Sequence, residues 1–334
     1  MGRGAYEHNY TRLNLPELEA QTIDAAPLAI ALPPELAGQG PATVDLYCAE
    51  NLALLEAQAA KWAARCQLLY IDPPFGSGKV YSARVEGARG RQSQAVKAYR
   101  DDQDFDGYLA WLYRRLVFAR DLLCPSGTLY VHLDWHAVHY VKVELDRLFG
   151  RERFLNEIIW CYYGPSPIRS AFKRKHDNIL VYTRSPAYYF DADAVRMPYN
   201  ESTLRTFQSS RKAGFGKVPD LARGKVPEDW WYMPVVARQH GERVGYETQK
   251  PESLLERIVK ASSRPGDLVG DLFAGTGTTG VVAARLSRNA LLADRNPVGV
   301  EKALLRLARL EPAPHVRLWR YLRPEMNGSP PAGG

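Results

Sequence analysis

The chain has 334 residues, of which 46% are hydrophobic and 24% charged, the composition of an ordinary soluble protein with a sizeable core. No stretch approaches about 18 apolar residues and the first residues lack the apolar run of a signal peptide, which argues against a membrane protein and predicts a cytoplasmic one. The net charge of +7 suits a polyanionic partner, and four scattered cysteines without a C-x-x-C pair argue against a disulfide framework or a zinc site.

The first third of the chain predicts an N-terminal arm followed by alternating strands and helices. Residues 1–42 carry proline and glycine punctuation, whereas 44–48 and 67–71 predict strands on either side of a helix at 53–64. The second strand ends at Asp72-Pro73-Pro74-Phe75, because proline has no amide hydrogen to donate within a sheet. This tetrapeptide places a carboxylate, a fixed backbone carbonyl and an aromatic ring in one corner. Such a corner suits a flat base with an exocyclic amino group, although Asp72 could also be a simple strand-end cap.

The middle of the chain continues the same alternation after a long gap. Residues 76–103 lack periodicity and contain six basic residues, so they predict a long mobile loop beside the tetrapeptide. A helix from 105 to 123 is expected to stop at Pro125-Ser126-Gly127, and a strand at 128–133 precedes a helix ended by Gly150. Strands and helices in this order predict an α/β fold with a doubly wound, mostly parallel sheet covered on both faces.

Residues 161–246 depart from that pattern and carry the positive charge. Only 179–183 predicts a strand, and the many aromatic residues are expected to form a small core of their own. Between 169 and 225 there are twelve Lys and Arg residues against five acidic ones, an excess equal to that of the whole chain. The segment therefore predicts an insertion with a basic surface that can face a nucleic acid.

Regular structure returns in the last part of the chain, around a glycine-containing loop. Helices are predicted at 252–261 and 279–286 and strands at 268–272 and 290–293, with a disordered tail at 327–334. The spacing Gly275-x-Gly277-x-x-Gly280, with Asp294 nearly at the expected distance of about 20 residues, satisfies the dinucleotide fingerprint. The glycines alone leave open a dinucleotide, another nucleoside cofactor or a purely structural turn.

Taken together, the motifs resemble those of a known enzyme family. The tetrapeptide at 72–75 and the run Asp271-Leu272-Phe273-Ala274-Gly275-Thr276-Gly277 resemble motifs of DNA amino-methyltransferases, which methylate adenine N6 or cytosine N4. The segments 129–134, 156–160 and 175–177 extend the resemblance over most of residues 43–310. The order of tetrapeptide, basic insertion and glycine loop resembles the β class of these enzymes, which use S-adenosyl-L-methionine (SAM).

The resemblance implies an organisation and a set of site residues. It implies a Rossmann-like methyltransferase sheet with a catalytic half at 43–160, a target-recognition insertion at 161–246 and a SAM-binding half at 247–326. The catalytic residues would be Asp72, Pro73, Pro74 and Phe75, which would act on a flipped-out base without a metal. The residues implied to bind SAM are Asp271, Phe273, Ala274, Gly275, Thr276, Gly277, Thr278, Asp294, Asn296, Lys250 and Pro251.

Several alternatives stay open at this point. Aspartate at the first tetrapeptide position is commoner in adenine N6 enzymes of the family and serine in cytosine N4 enzymes, so Asp72 favours adenine. An NAD(P)-dependent oxidoreductase would leave the tetrapeptide without a role, and a DNA-binding protein without activity is a further alternative. Methylation of cytosine at carbon 5 needs a thiolate, and Cys124 before Pro125 does not resemble that nucleophile. Double-stranded DNA, a separate restriction endonuclease and a second copy of the chain are the expected partners.

Overall fold

The computed structural model describes residues 28–29, 38–75, 80–85, 94–100, 105–209, 220–236, 241–246 and 248–320. Most of the predicted arm, parts of the predicted loop at 76–103 and the predicted tail at 327–334 lie outside these residues. Within the described ranges, no helix is both long and apolar enough to cross a lipid bilayer.

Helices and strands alternate through most of the described chain. The strands are β1 Leu28–Ala29, β2 Thr43–Cys48, β3 Cys66–Ile71, β4 Val80–Val85, β5 Gln94–Arg100, β6 Leu123–Leu133, β7 Phe154–Cys161, β8 His176–Thr183, β9 Trp230–Tyr232, β10 Leu268–Asp271, β11 Asn289–Asp294 and β12 His315–Arg320. The α-helices are α1 Asn51–Trp62, α2 Phe105–Leu122, α3 Val138–Phe149, α4 Glu201–Ser209, α5 Glu252–Ser262, α6 Thr278–Arg285 and α7 Pro297–Ala308.

Ten of the described strands form one sheet in the order β1-β12-β2-β11-β10-β3-β6-β8-β7-β9. The neighbours from β12 to β6 are all parallel, as are β7 and β9. Antiparallel pairing occurs between β1 and β12 and on either side of β8. The prediction of a mostly parallel sheet is confirmed.

Strand β3 shows how the two faces of the sheet are covered. Its side chains alternate, with Leu69 and Ile71 packing in one core together with α1, α2 and α3. Leu68 and Tyr70 pack in a second core together with α5, α6 and α7. Because both faces are buried under helices, residues 68–71 of this strand form a continuous apolar run. The doubly wound arrangement predicted from the alternation is therefore confirmed.

Several elements in the first and last parts of the chain differ from the predictions. Strand β6 begins at Leu123, directly after α2. The proline and glycine that were expected to end the helix lie in a bulge of this strand between Leu123 and Thr128, so the strand continues past them. The segment 76–103 contains the antiparallel pair β4 and β5, which its weak periodicity did not predict. The mobility of this segment stays a prediction. Helix α7 and strand β12 were not predicted.

The segment 161–246 contributes to the central sheet, so the boundary at 161 does not separate two cores. Strand β8 lies between β6 and β7, with Ile179 and Val181 in one core and Leu180 and Tyr182 in the other. A strand buried on both faces needs sheet neighbours and helices on each side, and the main sheet offers both. Trp231 of β9 packs in the same core as α5, so the prediction of a separate aromatic core is wrong for this residue.

Candidate active site

Three acidic residues meet at the carboxyl edge of the sheet. Asp72 follows β3, Asp271 ends β10 and Asp294 ends β11, and these three strands are parallel neighbours. Parallel neighbours end at the same edge, which brings together residues that lie far apart in sequence. This is the edge at which open α/β sheets bind ligands.

A cleft of about 1200 Å³, including its open mouth, lies at this edge. Most of the predicted site residues line it, namely Asp72, Pro73, Pro74, Phe75, Lys250, Asp271, Phe273, Ala274, Gly275, Thr276, Thr278, Asp294 and Asn296. Two predicted residues do not line it. Pro251 is the residue that precedes the first turn of α5, and Gly277 packs towards α7. The structure therefore places the tetrapeptide and the glycine loop around one cleft.

The two glycines of the loop serve different purposes. Both adopt a left-handed backbone, with φ of 52° at Gly275 and 71° at Gly277. A Cβ on Gly277 would lie 2.6 Å from the Cβ of Ala303, so this position is held by packing. A Cβ on Gly275 would meet no atom nearer than Cε1 of Tyr246 at 4.0 Å. Because Gly275 has no side chain, the loop backbone is open to a ligand in the cleft at this position.

Two carboxylates hold the loop in this conformation. Asp271 accepts hydrogen bonds from the Phe273 amide at 2.9 Å and from the Thr279 hydroxyl at 2.5 Å. Asp294 accepts from the Gly275 amide at 2.7 Å and from the Asn296 amide at 2.8 Å. Burial raises the pKa of Asp271 to about 7 and raises that of Asp294, and the hydrogen bonds oppose this effect in both. Each oxygen keeps a lone pair that can accept a further hydrogen bond.

The tetrapeptide corner contains an ion pair that the sequence did not predict. The ammonium of Lys250 donates to Oδ2 of Asp72 at 2.5 Å, and both side chains are about 15% exposed. Its nitrogen also lies 5.6 Å from the centre of the Phe75 ring. Lys250 was predicted to bind the cofactor, which stays a prediction, and its charged end lies on the predicted catalytic carboxylate.

A buried hydrogen-bonded network lies behind this corner. Nδ1 of His132 lies 2.6 Å from the Tyr70 hydroxyl and 4.0 Å from Oδ1 of Asp72, while Nε2 lies 3.2 Å from Asp177. Tyr162 donates to the other oxygen of Asp177 at 3.1 Å. Burial raises the pKa of Asp177, but the hydrogen bond and charge of His132, the charge of Lys250 and the Tyr162 bond outweigh it and the pKa lies below its usual value. Among the described residues, no cluster of His, Cys, Asp and Glu could hold a metal.

Sequence reasoning missed several residues that support the cleft. Arg306 of α7 lies buried under the loop and donates to the Thr276 carbonyl at 3.0 Å, the Thr278 hydroxyl at 2.8 Å and Glu252 at 2.7 Å. Asn51, at the start of α1, donates to the Leu272 carbonyl at 2.8 Å. Asn51 could have been predicted to lie at the cleft, because it follows a parallel strand. Nothing near Arg306 in the sequence distinguishes it from a surface arginine.

The sheet order and the cleft define a Rossmann-like methyltransferase fold, and comparison with solved structures gives the same architecture. PvuII DNA methyltransferase (cytosine-N4-specific) superposes with a TM-score of 0.56 at 18% identity, covering 80% of this chain and 89% of that one. TTHA0409, a putative DNA modification methylase of Thermus thermophilus in complex with S-adenosyl-L-methionine, superposes with a TM-score of 0.53 at 22% identity over 83% and 97% of the two chains.

The sequence comparisons identify the family. Type II methyltransferase M.HpaI of Haemophilus parainfluenzae is 28% identical over 241 residues, which cover 72% of this chain and 67% of that protein. DNA adenine methyltransferase YhdJ of Escherichia coli (strain K12) is 27% identical over 247 residues, covering 73% and 77%. The profile of the N6/N4 DNA methylase family matches residues 66–304. The chain belongs to this family of DNA methyltransferases.

Proposed function

We propose that this DNA methyltransferase transfers a methyl group from SAM to the exocyclic amino group of a base flipped out of duplex DNA, with adenine N6 as the favoured target. The observation that carries the proposal is that the tetrapeptide corner and the glycine loop line the same cleft. A cofactor held by the loop and a base held by the tetrapeptide would then meet without any rearrangement of the sheet.

The residues of the cleft fit a nucleoside cofactor. The space beside Gly275 allows a ligand to approach the loop backbone, and the carboxylate of Asp294 can accept hydrogen bonds from ribose hydroxyls. Asn296 would assist there, and Phe273 offers an apolar wall at the other end of the loop. When bound, SAM supplies a methyl group on a positively charged sulfur, and the chain supplies the positioning.

The chemistry of the amine explains the choice of the tetrapeptide residues. An exocyclic amine on a base is a poor nucleophile because its lone pair is delocalised into the ring. Two hydrogen-bond acceptors, the Asp72 carboxylate and the Pro73 carbonyl, would draw its hydrogens out of the ring plane and free that lone pair. Stacking on Phe75 would hold the base, and Pro74 fixes the backbone between the acceptors and the ring.

The segment 161–246 and its surroundings support a nucleic-acid surface. Tyr163 and Tyr232 are 79% and 53% exposed and lie 4.7 Å apart between ring centres. The guanidinium of Arg174 lies 4.0 Å from the centre of the half-exposed Trp135 ring, just after β6. Exposed rings and arginines suit unstacked bases and phosphates. Flipping a base costs a few kcal/mol, which such contacts would offset.

Asp72 is the residue on which the preference for adenine over cytosine rests. Asp72 favours adenine N6 by family resemblance, and the relative YhdJ is named a DNA adenine methyltransferase. Methylation of cytosine N4 is the alternative, because both bases present an amine to the same two acceptors. A homodimer, a separate restriction endonuclease and a cytoplasmic location stay predictions.

A methylation assay tests the proposal. Unmethylated genomic DNA incubated with the protein and SAM is digested, and its nucleosides are separated by mass spectrometry. We expect N6-methyladenine, and base-resolved sequencing of the same DNA then gives the recognition sequence. N4-methylcytosine would assign the alternative target. If the wild-type protein modifies neither base while Asp72→Ala behaves identically, amino methylation is the wrong activity.

A further inference from the structure

The ammonium group of Lys250 lies where the proposed reaction needs the amine of the target base. The base amine has to donate to Asp72 while its ring stacks on Phe75. Lys250 already donates to Asp72 at 2.5 Å, and its nitrogen lies 5.6 Å from the centre of the Phe75 ring. An ammonium and a base amine are both nitrogen donors, so they compete for the same carboxylate oxygen.

We propose that Lys250 is a gate on the catalytic corner: its ammonium occupies Asp72 in the free enzyme and is displaced when the target base enters. The inference rests on the proposed function, since it assumes that Asp72 receives the amine. It assigns Lys250 the role of a positioning residue that acts through Asp72.

The free enzyme has a physical reason to keep this gate closed. The Asp72 side chain is only 15% exposed, and an ionised carboxylate at that depth is destabilising without a partner. Lys250, 14% exposed, supplies the partner through one short hydrogen bond. The acceptor is thus held in one orientation before any base arrives.

The surroundings of Lys250 allow its side chain to move while its backbone stays. Its carbonyl accepts a hydrogen bond from the Thr278 hydroxyl at 3.3 Å, and Pro251 follows it at the start of α5. The four-carbon stem is flexible and can turn away from Asp72. Asp177 offers a second negative group in the same network, because His132 lies 4.0 Å from Asp72 and 3.2 Å from Asp177. The displaced ammonium would therefore keep part of its electrostatic compensation.

Displacement also suits the proposed reaction. As the amine forms its bond to the methyl carbon and S-adenosylhomocysteine leaves, positive charge would develop on the amine until it loses a proton to Asp72. An ammonium that stayed on Asp72 would add a like charge within hydrogen-bonding distance of the same carboxylate, in a part of the cleft where charges are weakly screened. Moving Lys250 away removes this repulsion and returns Asp72 to the amine as its only strong partner there.

Two substitutions at Lys250 distinguish the gate from a fixed brace, by which we mean an ammonium that stays on Asp72 when the target base binds. Lys250→Met removes the competing donor, whereas Lys250→Arg replaces it with a donor that can pair with a carboxylate through two bonds. The matched control is Lys260→Met on α5, where Lys260 forms an ion pair with Glu256 at 2.6 Å and both side chains are 37% exposed. The wild-type protein and all variants are first compared by thermal unfolding and by titration with S-adenosylhomocysteine.

The measurement uses two unmodified DNA duplexes, one with the sequence that the enzyme methylates and one without it, with S-adenosylhomocysteine present. The quantity compared is the dissociation constant for the first duplex divided by that for the second. The ratio removes non-specific charge effects, and 2-aminopurine beside the target base reports its departure from the stack. We expect the ratio to fall about tenfold in Lys250→Met, because the charged hydrogen bond that competes with the base is lost. We expect it to rise in Lys250→Arg, because that competing bond is strengthened. Lys260→Met should match the wild type.

The opposite order of the variants would overturn the gate. A fixed brace predicts that Lys250→Arg equals the wild type and that Lys250→Met binds the target less well. If Lys250→Met does not fold, the ratio in Lys250→Arg compared with that in the wild type still distinguishes the gate from the brace. A wild-type protein that methylates no DNA counts against the proposed function, whereas an active wild type with the brace order counts against the gate alone.

Discussion

Replacing Gly277 with alanine tests the account of the glycine loop. Gly277 has φ of 71°, in the left-handed region, and a Cβ there would lie 2.6 Å from the Cβ of Ala303 in α7. Alanine at this position must therefore adopt an unfavourable backbone and also push two elements apart. The loop that would move lies beside the cleft, so both stability and ligand affinity should respond.

The backbone strain and the overpacking each lower the free energy of unfolding, and their sizes can be estimated separately. A left-handed backbone costs alanine about 1–2 kcal/mol, and overpacking a tight contact costs about 1–3 kcal/mol. Gly277→Ala should therefore lower the free energy of unfolding by about 2–5 kcal/mol. Gly266 is the matched control, because it has φ of 87° and a Cβ there would meet no atom within 4 Å. Gly266→Ala should lose only the backbone contribution of about 1–2 kcal/mol.

Denaturant unfolding gives both free energies, and calorimetric titration gives the affinity for S-adenosylhomocysteine. Gly277→Ala should weaken this affinity, and Gly266→Ala should leave it unchanged. The double variant Gly277→Ala with Ala303→Gly should recover the overpacking part, apart from about 1 kcal/mol for glycine in a helix. Equal stability losses in the two single glycine variants would refute the assigned contact with Ala303.

Three further predictions follow from the site. Asp72→Ala should slow methyl transfer about 10²–10³-fold, the usual effect of removing one positioned polar group, with the affinity for S-adenosylhomocysteine unchanged. Burial raises the pKa of Asp271 to about 7, so the folded protein takes up a proton that the unfolded chain has lost and its stability should fall as pH rises from about 4 to about 7. Asp271→Asn should remove this fall. Arg306→Met should cost about 3–5 kcal/mol, because Arg306 is 6% exposed and holds Glu252 and the loop.

Each has its own check. Rapid-quench kinetics and calorimetry on Asp72→Ala would contradict the prediction if binding, and not the methyl-transfer rate, were lost. Urea unfolding at about pH 5 and about pH 8 tests Asp271, and an unchanged pH dependence in Asp271→Asn would assign the effect to another group. Arg285→Met is the control for Arg306, because Arg285 contacts the same Glu252 but is 39% exposed and should cost under about 1 kcal/mol. Equal losses in the two arginine variants would contradict the role of burial.

The local parts of the site could be predicted because they depend on residues next to one another. Two prolines end β3 after Asp72 whatever surrounds them, since they cannot donate to a sheet. The glycines at 275 and 277 mark a left-handed turn in the same way. Alternating apolar and amphipathic segments predicted the doubly wound sheet, because each period requires its own kind of burial.

Where regular patterns were weak, the tertiary context decided the structure. Strand β8 was predicted within an insertion and lies between β6 and β7 of the main sheet, because both of its faces are apolar. Arg306 could not be recognised, since its burial depends on how α7 packs against the loop. The same holds for Trp231, whose strand pairs with β7 and whose ring centre lies 4.9 Å from the guanidinium carbon of Arg257 in α5.

The amino-acid sequence by itself thus determined the two motifs, the kind of sheet that carries them and the family resemblance. Only the tertiary structure decided which charges meet. Lys250 and Asp72 are 178 residues apart, and they form an ion pair because β10 lies beside β3 and α5 leads into β10. Strand order arises from the summed packing of the whole core, so no local segment encodes it.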